Sequence, residues 1–308
     1  MSLNRTDPHP QWSNLTTERR NPKTRAIDSA STHQIVQLMN EEDHLVAGAV
    51  GQVAHEIARA VDLIVDRFRK GGRLFYVGAG TSGRLGVLDA AECPPTFGTD
   101  PSLVQGLIAG GHPALVRSQE GAEDRDEDGA AELDRNGVSK NDTVVGIAAS
   151  GVTPYVTGAL KRGRTIGAAT VFLTCNPEAA SRIEVDVVIA PVVGPEAITG
   201  STRLKAGTAT KLVLNTLSTA SMIRLGKVYE NLMVDLTPSC DKLHDRSRRI
   251  LSDITDVDPA DINDLLARAE GDLKTAIVMR KRAVSAETAR QLLSQHEGSV
   301  RAALESSR

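Results

Sequence analysis

The sequence predicts an α/β fold in which helices cover both faces of a parallel sheet. Five short apolar runs recur at 73–77, 102–109, 142–149, 169–174 and 185–190, and segments of helical length separate them. This alternation is typical of parallel sheets, whose strands are buried on both faces and therefore form continuous apolar runs. We expect helices before the sheet and a small helical bundle after it.

The helix before the sheet is predicted from a stripe of apolar residues between about 41 and 68. The stripe repeats at three- and four-residue steps and consists of Val50, Val53, Ile57, Val61, Ile64 and Phe68. Residues at these steps share one face of a helix, so we expect one amphipathic helix that packs on the sheet. We expect residues 1–40 to be an N-terminal extension and residues 41–230 to be the α/β domain with this helix.

The chain after the last apolar run is predicted to be helical. Residues 201 to about 225 are expected to form one long helix with the apolar side Val213, Leu214, Leu217 and Leu225. Signals for the start of a helix follow at Asp258-Pro259, Gly271-Asp272 and Ser285. We therefore expect residues 250–308 to form a small bundle of short helices.

A glycine turn after the first apolar run predicts a phosphate site. From Gly78 the sequence reads Gly-Ala-Gly-Thr-Ser-Gly-Arg, and a helix is expected to begin within it. Glycines let backbone N–H groups converge on an anion, and the N-terminus of a helix adds a partial positive charge. Gly80, Thr81 and Ser82 are therefore candidate phosphate ligands, the last two through their hydroxyl groups.

The same turn also has the spacing of a dinucleotide site. Gly78, Gly80 and Gly83 match the fingerprint that is typical of nicotinamide enzymes. That fingerprint needs an acidic residue at the end of the second strand to hold a ribose, but the second run ends in the sequence Gly-Gly-His at 110–112. The missing acidic residue argues against a dinucleotide.

A second loop favours a small phosphorylated ligand. The third apolar run leads into Ser-Gly-Val-Thr-Pro at 150–154, which is another turn rich in hydroxyl groups. A dinucleotide domain uses one glycine turn, whereas two such loops at the carboxyl ends of parallel strands suit one phosphate. Ser150, Gly151 and Thr153 are the candidate ligands here. The alternative for either loop alone is a tight turn from strand to helix without a ligand.

The composition excludes several kinds of partner. With 36 basic and 39 acidic residues, the net charge of −3 gives no electrostatic footprint for nucleic acid or an anionic membrane. Cys93, Cys175 and Cys240 are too few and too scattered for a disulfide framework or a metal cluster, so we expect no metal. No apolar run is long enough for a signal peptide or a membrane span. We expect a cytoplasmic protein.

Three stretches of the chain resemble the family of N-acetylmuramic acid 6-phosphate etherases. They are 78–95, 120–124 and 194–211, and the similarity extends from about Glu41 to the C-terminus. The last stretch also resembles a sequence of glucokinase regulatory proteins, which bind sugar phosphates without converting them. The resemblance implies a sugar isomerase (SIS) domain, which is a flavodoxin-like parallel-sheet sandwich, and a small UBA-like C-terminal domain.

Such a resemblance implies an enzyme of peptidoglycan recycling. The family cleaves the D-lactyl ether of N-acetylmuramic acid 6-phosphate and releases D-lactate and N-acetylglucosamine 6-phosphate. It implies a small-molecule sugar phosphate as the partner, a homodimer, and no cofactor. In this family the acid lies in the sequence Ala-Glu-Cys-Pro-Pro and the base in Glu-Gly-Ala-Glu-Asp, which correspond here to Glu92 and Glu123.

The surroundings of the two glutamates support these roles unequally. Glu92 precedes Pro94 and Pro95, which we expect to end a helix and to hold the carboxyl group among apolar neighbours that favour its protonated form. Glu123 lies in an acidic run from 120 to 128, and such runs are usually solvated surface. The role of Glu123 therefore rests mainly on the resemblance.

Further observations concern the third stretch and the residues before the second loop. Ser201 and Thr202 are more distant candidates for phosphate binding. SIS domains often have a serine at the position of Ala148, so one phosphate hydroxyl is missing in this chain. Lys205 and Lys211 either lie near the ligand or face solvent, and the second is more usual for lysines in a long helix.

Two histidines have open interpretations. His244 is either a general acid-base group that opens the sugar ring from a neighbouring subunit or an ordinary surface histidine. His112 has no partners at a spacing that suits a metal, and we interpret it as a loop residue near the site.

Two rival functions also fit the predicted fold. A sugar-phosphate aldose–ketose isomerase moves the same C2 proton but needs no acid directed at a leaving group on C3. A non-catalytic regulator binds the sugar phosphate and signals to a partner protein. Glu92 distinguishes an etherase from an isomerase, and a single SIS domain distinguishes this chain from the longer regulators.

Overall fold

The computed structural model describes residues 15–181, 183–235 and 241–306. The chain divides into two compact units. The first is made of residues 1–90 and 102–217, and the second of residues 91–101 and 218–308.

The first unit contains the predicted parallel sheet. Within the described residues its strands are β1 (Leu74–Gly78), β2 (Val104–Ile108), β3 (Thr143–Ile147), β4 (Ala169–Leu173) and β5 (Val187–Ile189). They pair in parallel in the order β2-β1-β3-β4-β5, which is the order of flavodoxin-like folds. β1, β3 and β4 are buried along their whole length. The predicted α/β class and the positions of the strands are confirmed.

Helices surround this sheet. The sheet is preceded by α1 (Thr32–Gly51) and α2 (Ala54–Arg69), and the later ones are α3 (Gly80–Phe97), α4 (Pro113–Val116), α5 (Asp126–Arg135), α6 (Pro154–Ile166), α7 (Pro177–Ala180) and α8 (Lys205–Arg224). The long helix predicted from residue 201 is confirmed as α8, although it begins at Lys205. Residues of α3 and α8 belong to both units.

The prediction of helices before the sheet is confirmed, but the single amphipathic helix predicted over residues 41–68 was wrong, because two helices share this range. Ser31 caps α1, so this helix begins well before the predicted stripe. The break falls at residues 52–53, directly after Gly51, and Gly48 lies in the last turn of α1; the low helix propensity of glycine favours a helix end here. The buried side of α2 consists of Ile57, Ala60, Val61, Ile64 and Val65. The predicted apolar stripe therefore describes α2 correctly but extends too far toward the N-terminus.

The second unit contains the predicted helices of the C-terminal region. Its described elements are a short hairpin, β6 (Val228–Tyr229) and β7 (Leu232–Met233), and the helices α9 (Asp241–Ile254), α10 (Ile262–Arg268), α11 (Leu273–Arg282), α12 (Ala286–Gln295) and α13 (Val300–Glu305). Their apolar side chains form a separate core that includes Leu251, Ile277, Val278 and Val300.

Two of the three predicted helix starts in this unit are confirmed. The side chains of Asp272 and Ser285 accept hydrogen bonds from backbone N–H groups three residues later and so cap α11 and α12. The start at Pro259 was wrong, because Asp258 and Asp261 close a turn instead, with an N–H to carbonyl distance of 2.9 Å. α10 begins only after this turn.

None of the helices in the described ranges is both long enough and apolar enough to cross a membrane.

Substitution of Gly129 tests how closely α5 packs against α6. A Cβ atom on Gly129 would lie 1.9 Å from the carbonyl oxygen of Tyr155, and this oxygen belongs to the backbone and is unable to rotate away. We expect Gly129→Ala to lower the free energy of unfolding by about 1 to 3 kcal/mol, as overpacking usually does. The measurement is urea unfolding followed by circular dichroism.

The matched control is Gly48→Ala in α1. Gly48 is also helical, but a Cβ atom there meets no other atom within 4 Å. Alanine is the better helix former, so this variant should gain about 0.5 to 1 kcal/mol. Equal stability of the two variants would contradict the close packing of α5 on α6.

Candidate functional site

The two predicted phosphate loops leave the sheet at the same edge. β1 and β3 are parallel neighbours, and Gly78 at the end of β1 is in register with Ile147 at the end of β3. Neighbouring strands lie about 5 Å apart, so the two loops begin side by side. In open α/β sheets the carboxyl edge is where ligands bind.

The first loop is held by a close approach of backbone to backbone. A Cβ atom on Gly83 would lie 2.6 Å from Cγ1 of Ile108 and 2.7 Å from the carbonyl oxygen of Gly78. Gly80 has a φ of +53°, in the left-handed region that favours glycine. α3 therefore begins directly at the end of β1, and the N–H groups of its first turn have no partner within the helix.

One cavity brings Gly80 and Glu123 together. It has a volume of about 290 Å³ and is lined by residues of the first loop, by Arg84 of α3 and by the segment 118–123. The predicted base and part of the predicted phosphate loop therefore border the same space.

Most acidic residues around Glu123 do not line this cavity. Of the acidic residues between 120 and 128, Glu120 and Glu123 line this cavity. Arg125 forms ion pairs with Glu127 at 3.4 Å and Asp128 at 3.3 Å. The backbone carbonyl of Glu123 accepts a hydrogen bond of 3.0 Å from the N–H of residue 155 in α6. The backbone of Glu123 is thus fixed, while its side chain is exposed.

The second loop borders a different cavity. Gly151 and Thr153 line a space of about 240 Å³ together with Asp126. Gly151 has a φ of +77°, and a Cβ atom there would lie 2.2 Å from the Cβ of Ala179. Ser150 Oγ accepts a hydrogen bond of 3.4 Å from the N–H of residue 152. The described cavities therefore do not bring Gly151 and Thr153 together with Glu123.

A buried asparagine fixes this second loop and was missed in the sequence. Asn176, at the end of β4, is fully buried and donates a hydrogen bond of 3.3 Å from Nδ2 to the carbonyl oxygen of Ser150. The Asn-Pro sequence at 176–177 is a turn signal that would have drawn attention to it. Ala148, where a phosphate hydroxyl was expected to be missing, is buried and bonded to β4 through its N–H.

The third stretch is organised by a buried ion pair. Lys205 is 1 % exposed, and its Nζ forms an ion pair with the carboxylate of Glu42, which is 3 % exposed. Glu42 also accepts a hydrogen bond of 2.8 Å from Nδ2 of Asn21. The interpretation of Lys205 as a solvent-facing lysine was wrong, because the carboxylate that pairs with it comes from a helix distant in the sequence.

A second carboxylate caps the same end of α8. The oxygens of Glu196 accept hydrogen bonds of 2.9 Å from the backbone N–H groups of Lys205 and Ala206. These two N–H groups belong to the first turn of α8 and have no partner within the helix. Glu196 therefore ties the loop after β5 to the start of α8.

The two buried carboxylates have opposite pKa shifts. Burial alone would raise the pKa of Glu42, but the hydrogen bonds from Lys205 and Asn21 and the charges of Lys205 and Lys23 outweigh it and hold the pKa below its ordinary value. Burial raises the pKa of Glu196, and the backbone hydrogen bonds at the start of α8 only partly offset this effect.

The start of α8 lies beside the first phosphate loop. A Cβ atom on Gly207 would lie 3.6 Å from Cγ2 of Thr81 and 3.4 Å from the carbonyl oxygen of Thr202. Ser201 and Thr202 are half-buried in the turn that precedes α8, and Ser82 is half-buried in the first turn of α3. The third stretch is therefore close to Thr81.

Lys211 is held within the first unit. Its Nζ donates to Oδ1 of Asp89 at 3.2 Å, and the other carboxylate oxygen of Asp89 accepts a hydrogen bond of 3.0 Å from the hydroxyl of Tyr76. Lys211 also contacts the side-chain oxygen of Asn215. It is thus a partly buried, paired lysine.

The surroundings of Glu92 differ from those that the sequence predicted. α3 continues through Pro94 and Pro95 to Phe97, so the predicted end of the helix at the prolines was wrong. A proline lacks its own N–H but keeps its carbonyl, and Pro94 accepts a hydrogen bond of 2.9 Å from the N–H of Gly98. The side chain of Glu92 is exposed on this helix instead of enclosed by apolar neighbours.

The remaining candidates do not line the cavity with Glu123. His112 is exposed at the start of α4, and His244 is exposed on α9. Cys93 and Cys175 are buried, and Cys240 lies outside the described residues. Burial raises the pKa of the Cys175 thiol to about 12. The described residues contain no group of three or more His, Cys, Asp or Glu side chains that suits a metal ion.

Comparison with known proteins identifies close relatives along nearly the whole chain. The model of the glucokinase regulatory protein N-terminal SIS domain matches residues 56–164. The chain is 54 % identical over 288 residues to the N-acetylmuramic acid 6-phosphate etherase of Rhodopirellula baltica, covering 94 % of this chain and 95 % of that protein. It is 53 % identical over 292 residues to the enzyme of that name from Salinibacter ruber, covering 94 % of each.

The chain also resembles solved structures at low sequence identity. The phosphoheptose isomerase of Neisseria gonorrhoeae is 16 % identical with a TM-score of 0.46, and the match covers 62 % of this chain and 98 % of that one.

Substitution of Lys205 tests how much the buried ion pair with Glu42 contributes to the stability of the fold. Lys205→Met should leave the buried Glu42 carboxylate without its buried cation, with Asn21 and the exposed Lys23 as its remaining partners. The free energy of unfolding should fall by about 3 kcal/mol near neutral pH, the lower end of the usual cost of breaking a buried pair. Because the pKa of Glu42 is lowered in the folded protein, the pair stabilises the fold above the ordinary pKa of a glutamate. This stability is lost as the pH falls through the lower, folded value.

The difference between wild type and Lys205→Met should therefore shrink in acid, where the buried carboxyl group of the variant becomes neutral. The control is the double variant Glu42→Gln with Lys205→Met, which should be more stable than Lys205→Met alone. Urea unfolding over a pH series measures all three proteins. If the difference in free energy of unfolding between wild type and Lys205→Met stays constant as the pH falls, the ion pair is not the cause of that difference.

Proposed function

The chain belongs to the family of N-acetylmuramic acid 6-phosphate etherases, and we propose that Glu123 and Glu92 carry out the reaction of this family. The chain is an enzyme of amino-sugar catabolism and peptidoglycan recycling, a carbon–oxygen lyase that cleaves the D-lactyl ether of N-acetylmuramic acid 6-phosphate. The products are D-lactate and N-acetylglucosamine 6-phosphate. The observation that supports the proposed base is the cavity that Glu123 shares with Gly80 of the first phosphate loop.

The reaction needs one base and one acid. An alkyl ether is a poor leaving group, but in the open-chain aldehyde the C2 proton is acidic and the C3 oxygen lies β to the carbonyl. A base removes the C2 proton, the C3–O bond breaks, and an acid protonates the departing lactate oxygen. Water then adds to C3 of the unsaturated aldehyde while C2 regains a proton, with the two groups in reversed roles. These steps require neither a metal nor an organic cofactor.

Glu123 is the proposed base. Its backbone is fixed by α6, its side chain is exposed, and the cavity beside it includes the first phosphate loop. Glu120 lines the same cavity and is the alternative base.

Glu92 is the proposed acid, on the basis of the family sequence Ala-Glu-Cys-Pro-Pro. The exposed position on α3 leaves its carboxyl group accessible to a substrate.

The loops at the carboxyl edge of the sheet are the proposed phosphate site. The candidates are Gly80, Thr81, Ser82, Ser150, Gly151, Thr153, Ser201 and Thr202. Support comes from the shared edge of β1 and β3 and from the contact of the start of α8 with Thr81. Unpaired N–H groups at the start of a helix attract an anion.

The proposed location is the cytoplasm, because a phosphorylated sugar does not cross a lipid bilayer and its enzyme must share its compartment. The proposed assembly is a homodimer. Its support is the family resemblance, together with the exposed apolar side chain of Val36 on the long helix α1, which is 61 % exposed. A symmetric pair would bury such side chains at a two-fold interface.

Hydrogen exchange at C2 separates the two carboxylates. Glu123→Gln should lose both D-lactate release and exchange of the C2 hydrogen with heavy water, because both need the base. Glu92→Gln should lose most lactate release but keep some C2 exchange, since removal of the proton needs only the base and the carbonyl. The expected losses are on the order of 10² to 10⁴ for each group.

The measurement combines an enzymatic assay for D-lactate with NMR of the C2 position. Glu127→Gln is the matched control, because it removes a nearby carboxylate that is paired with Arg125 and does not line the cavity. A Glu92→Gln variant with wild-type lactate release would refute the proposed acid. Full exchange in Glu123→Gln would transfer the role of base to Glu120.

Light scattering tests the proposed dimer. At micromolar concentration we expect a mass twice that of the 32.8 kDa chain. A fully active protein with the mass of a single chain would contradict the proposal.

A further inference from the structure

We propose that Arg84 binds the carboxylate of the lactyl group and so selects the ether substrate over sugar phosphates without lactate. This inference rests on the proposed function, because it assigns one residue of that site to one group of the substrate. Arg84 follows Gly83 in α3 and is absent from the candidate residues that the sequence suggested.

The position of Arg84 is the first support. It lines the cavity that also contains Gly80 and Glu123. Its Nε donates a hydrogen bond of 3.0 Å to the carbonyl oxygen of Leu115 in α4. This bond holds the guanidinium group by one edge, and among the described residues no other hydrogen bond or ion pair involves it. The two terminal nitrogens are therefore available to a ligand.

The charge of the cavity is the second support. Among the described residues that line it, Arg84 is the one cation, and Glu120 and Glu123 are the anions. A substrate with a carboxylate would be repelled by these two glutamates unless a cation lay close to it. Arginine is suited to this task, because its planar group donates two parallel hydrogen bonds to the two oxygens of a carboxylate.

The covalent structure of the substrate decides which of its anionic groups Arg84 meets. The proposed base must reach the hydrogen on C2. The lactyl carboxylate carbon is four bonds from C2, through C3 and the ether oxygen, whereas the phosphorus atom is six bonds away, through C6. Gly80 and Glu123 both border this small cavity with Arg84, so the shorter path from C2 favours the carboxylate, and the phosphate is the alternative that the experiment distinguishes.

The test compares a substrate and a product that differ in the lactyl group. N-acetylglucosamine 6-phosphate keeps the phosphate and the C2 hydrogen but lacks the carboxylate. Arg84→Met should lower kcat/KM for lactate release from N-acetylmuramic acid 6-phosphate by about 10- to 100-fold, the usual effect of losing a hydrogen-bonded charge. Exchange of the C2 hydrogen of N-acetylglucosamine 6-phosphate should remain within about twofold of wild type.

The retained exchange also shows that the variant is folded. Arg84→Lys is a second variant, which keeps the charge but loses the paired donors, and we expect an intermediate loss of lactate release. Arg125→Met is the matched control, because it removes a positive charge two residues from Glu123 whose partners are Glu127 and Asp128. It should affect neither reaction by more than about twofold.

A substrate analogue makes the test specific for the carboxylate. The methyl ester of the lactyl group removes its charge, so wild type should prefer the acid to the ester by about 10- to 100-fold. Arg84→Met should show almost no preference.

Three outcomes would overturn the assignment. The first is wild-type lactate release in Arg84→Met. The second is an equal loss of lactate release and C2 exchange in both Arg84 variants, which would assign Arg84 to the phosphate. The third is an equal loss of lactate release in Arg125→Met, which would show that any positive charge near Glu123 has this effect. If wild type itself releases no D-lactate, the proposed function fails together with this inference.

Discussion

The close approach of α3 to the sheet is the constraint on which the site depends. A Cβ atom on Gly106 of β2 would lie 2.5 Å from the Cα of Val87, and one on Gly83 would lie 2.6 Å from a side-chain atom of β2. The absence of side chains at these two glycines therefore allows α3 to pack closely against the sheet. The unpaired N–H groups of its first turn, the cavity next to Gly80 and the guanidinium group of Arg84 all take their positions from this packing.

The parts of the fold that could be predicted from the sequence are those with a local signal. The strands of the sheet are continuous apolar runs, and Asp272 and Ser285 are helix caps whose partners lie three residues away. The wrong predictions concern the points at which helices end. Gly48 and Gly51 weaken a helix whose stripe seemed continuous, and Pro94 keeps a carbonyl that still accepts a hydrogen bond within α3. A periodic pattern describes one face of a helix but not the point at which the helix ends.

The site could be predicted only in part, because its defining contacts join distant segments. The two loops could be predicted from their glycines and hydroxyl groups. The cavity, however, brings residue 80 next to residue 123, and no spacing in the sequence indicates that these residues lie close together. Lys205 is a stronger case, since its partner Glu42 lies 163 residues away. A lysine that is buried by such a pair has the same local sequence as one that faces solvent. The family resemblance identified Glu92 and Glu123, which carry no such local signal.

The central claim is that one sugar phosphate lies at the carboxyl edge of the sheet with its C2 at Glu123. A crystal structure of the protein with N-acetylglucosamine 6-phosphate bound tests it most directly. We expect a phosphate within hydrogen-bond distance of the loop that begins at Gly80 and a C2 atom about 3 to 3.5 Å from a carboxylate oxygen of Glu123, the separation of reacting atoms. A ligand bound with C2 far from Glu123, or with its phosphate away from both loops, would contradict it.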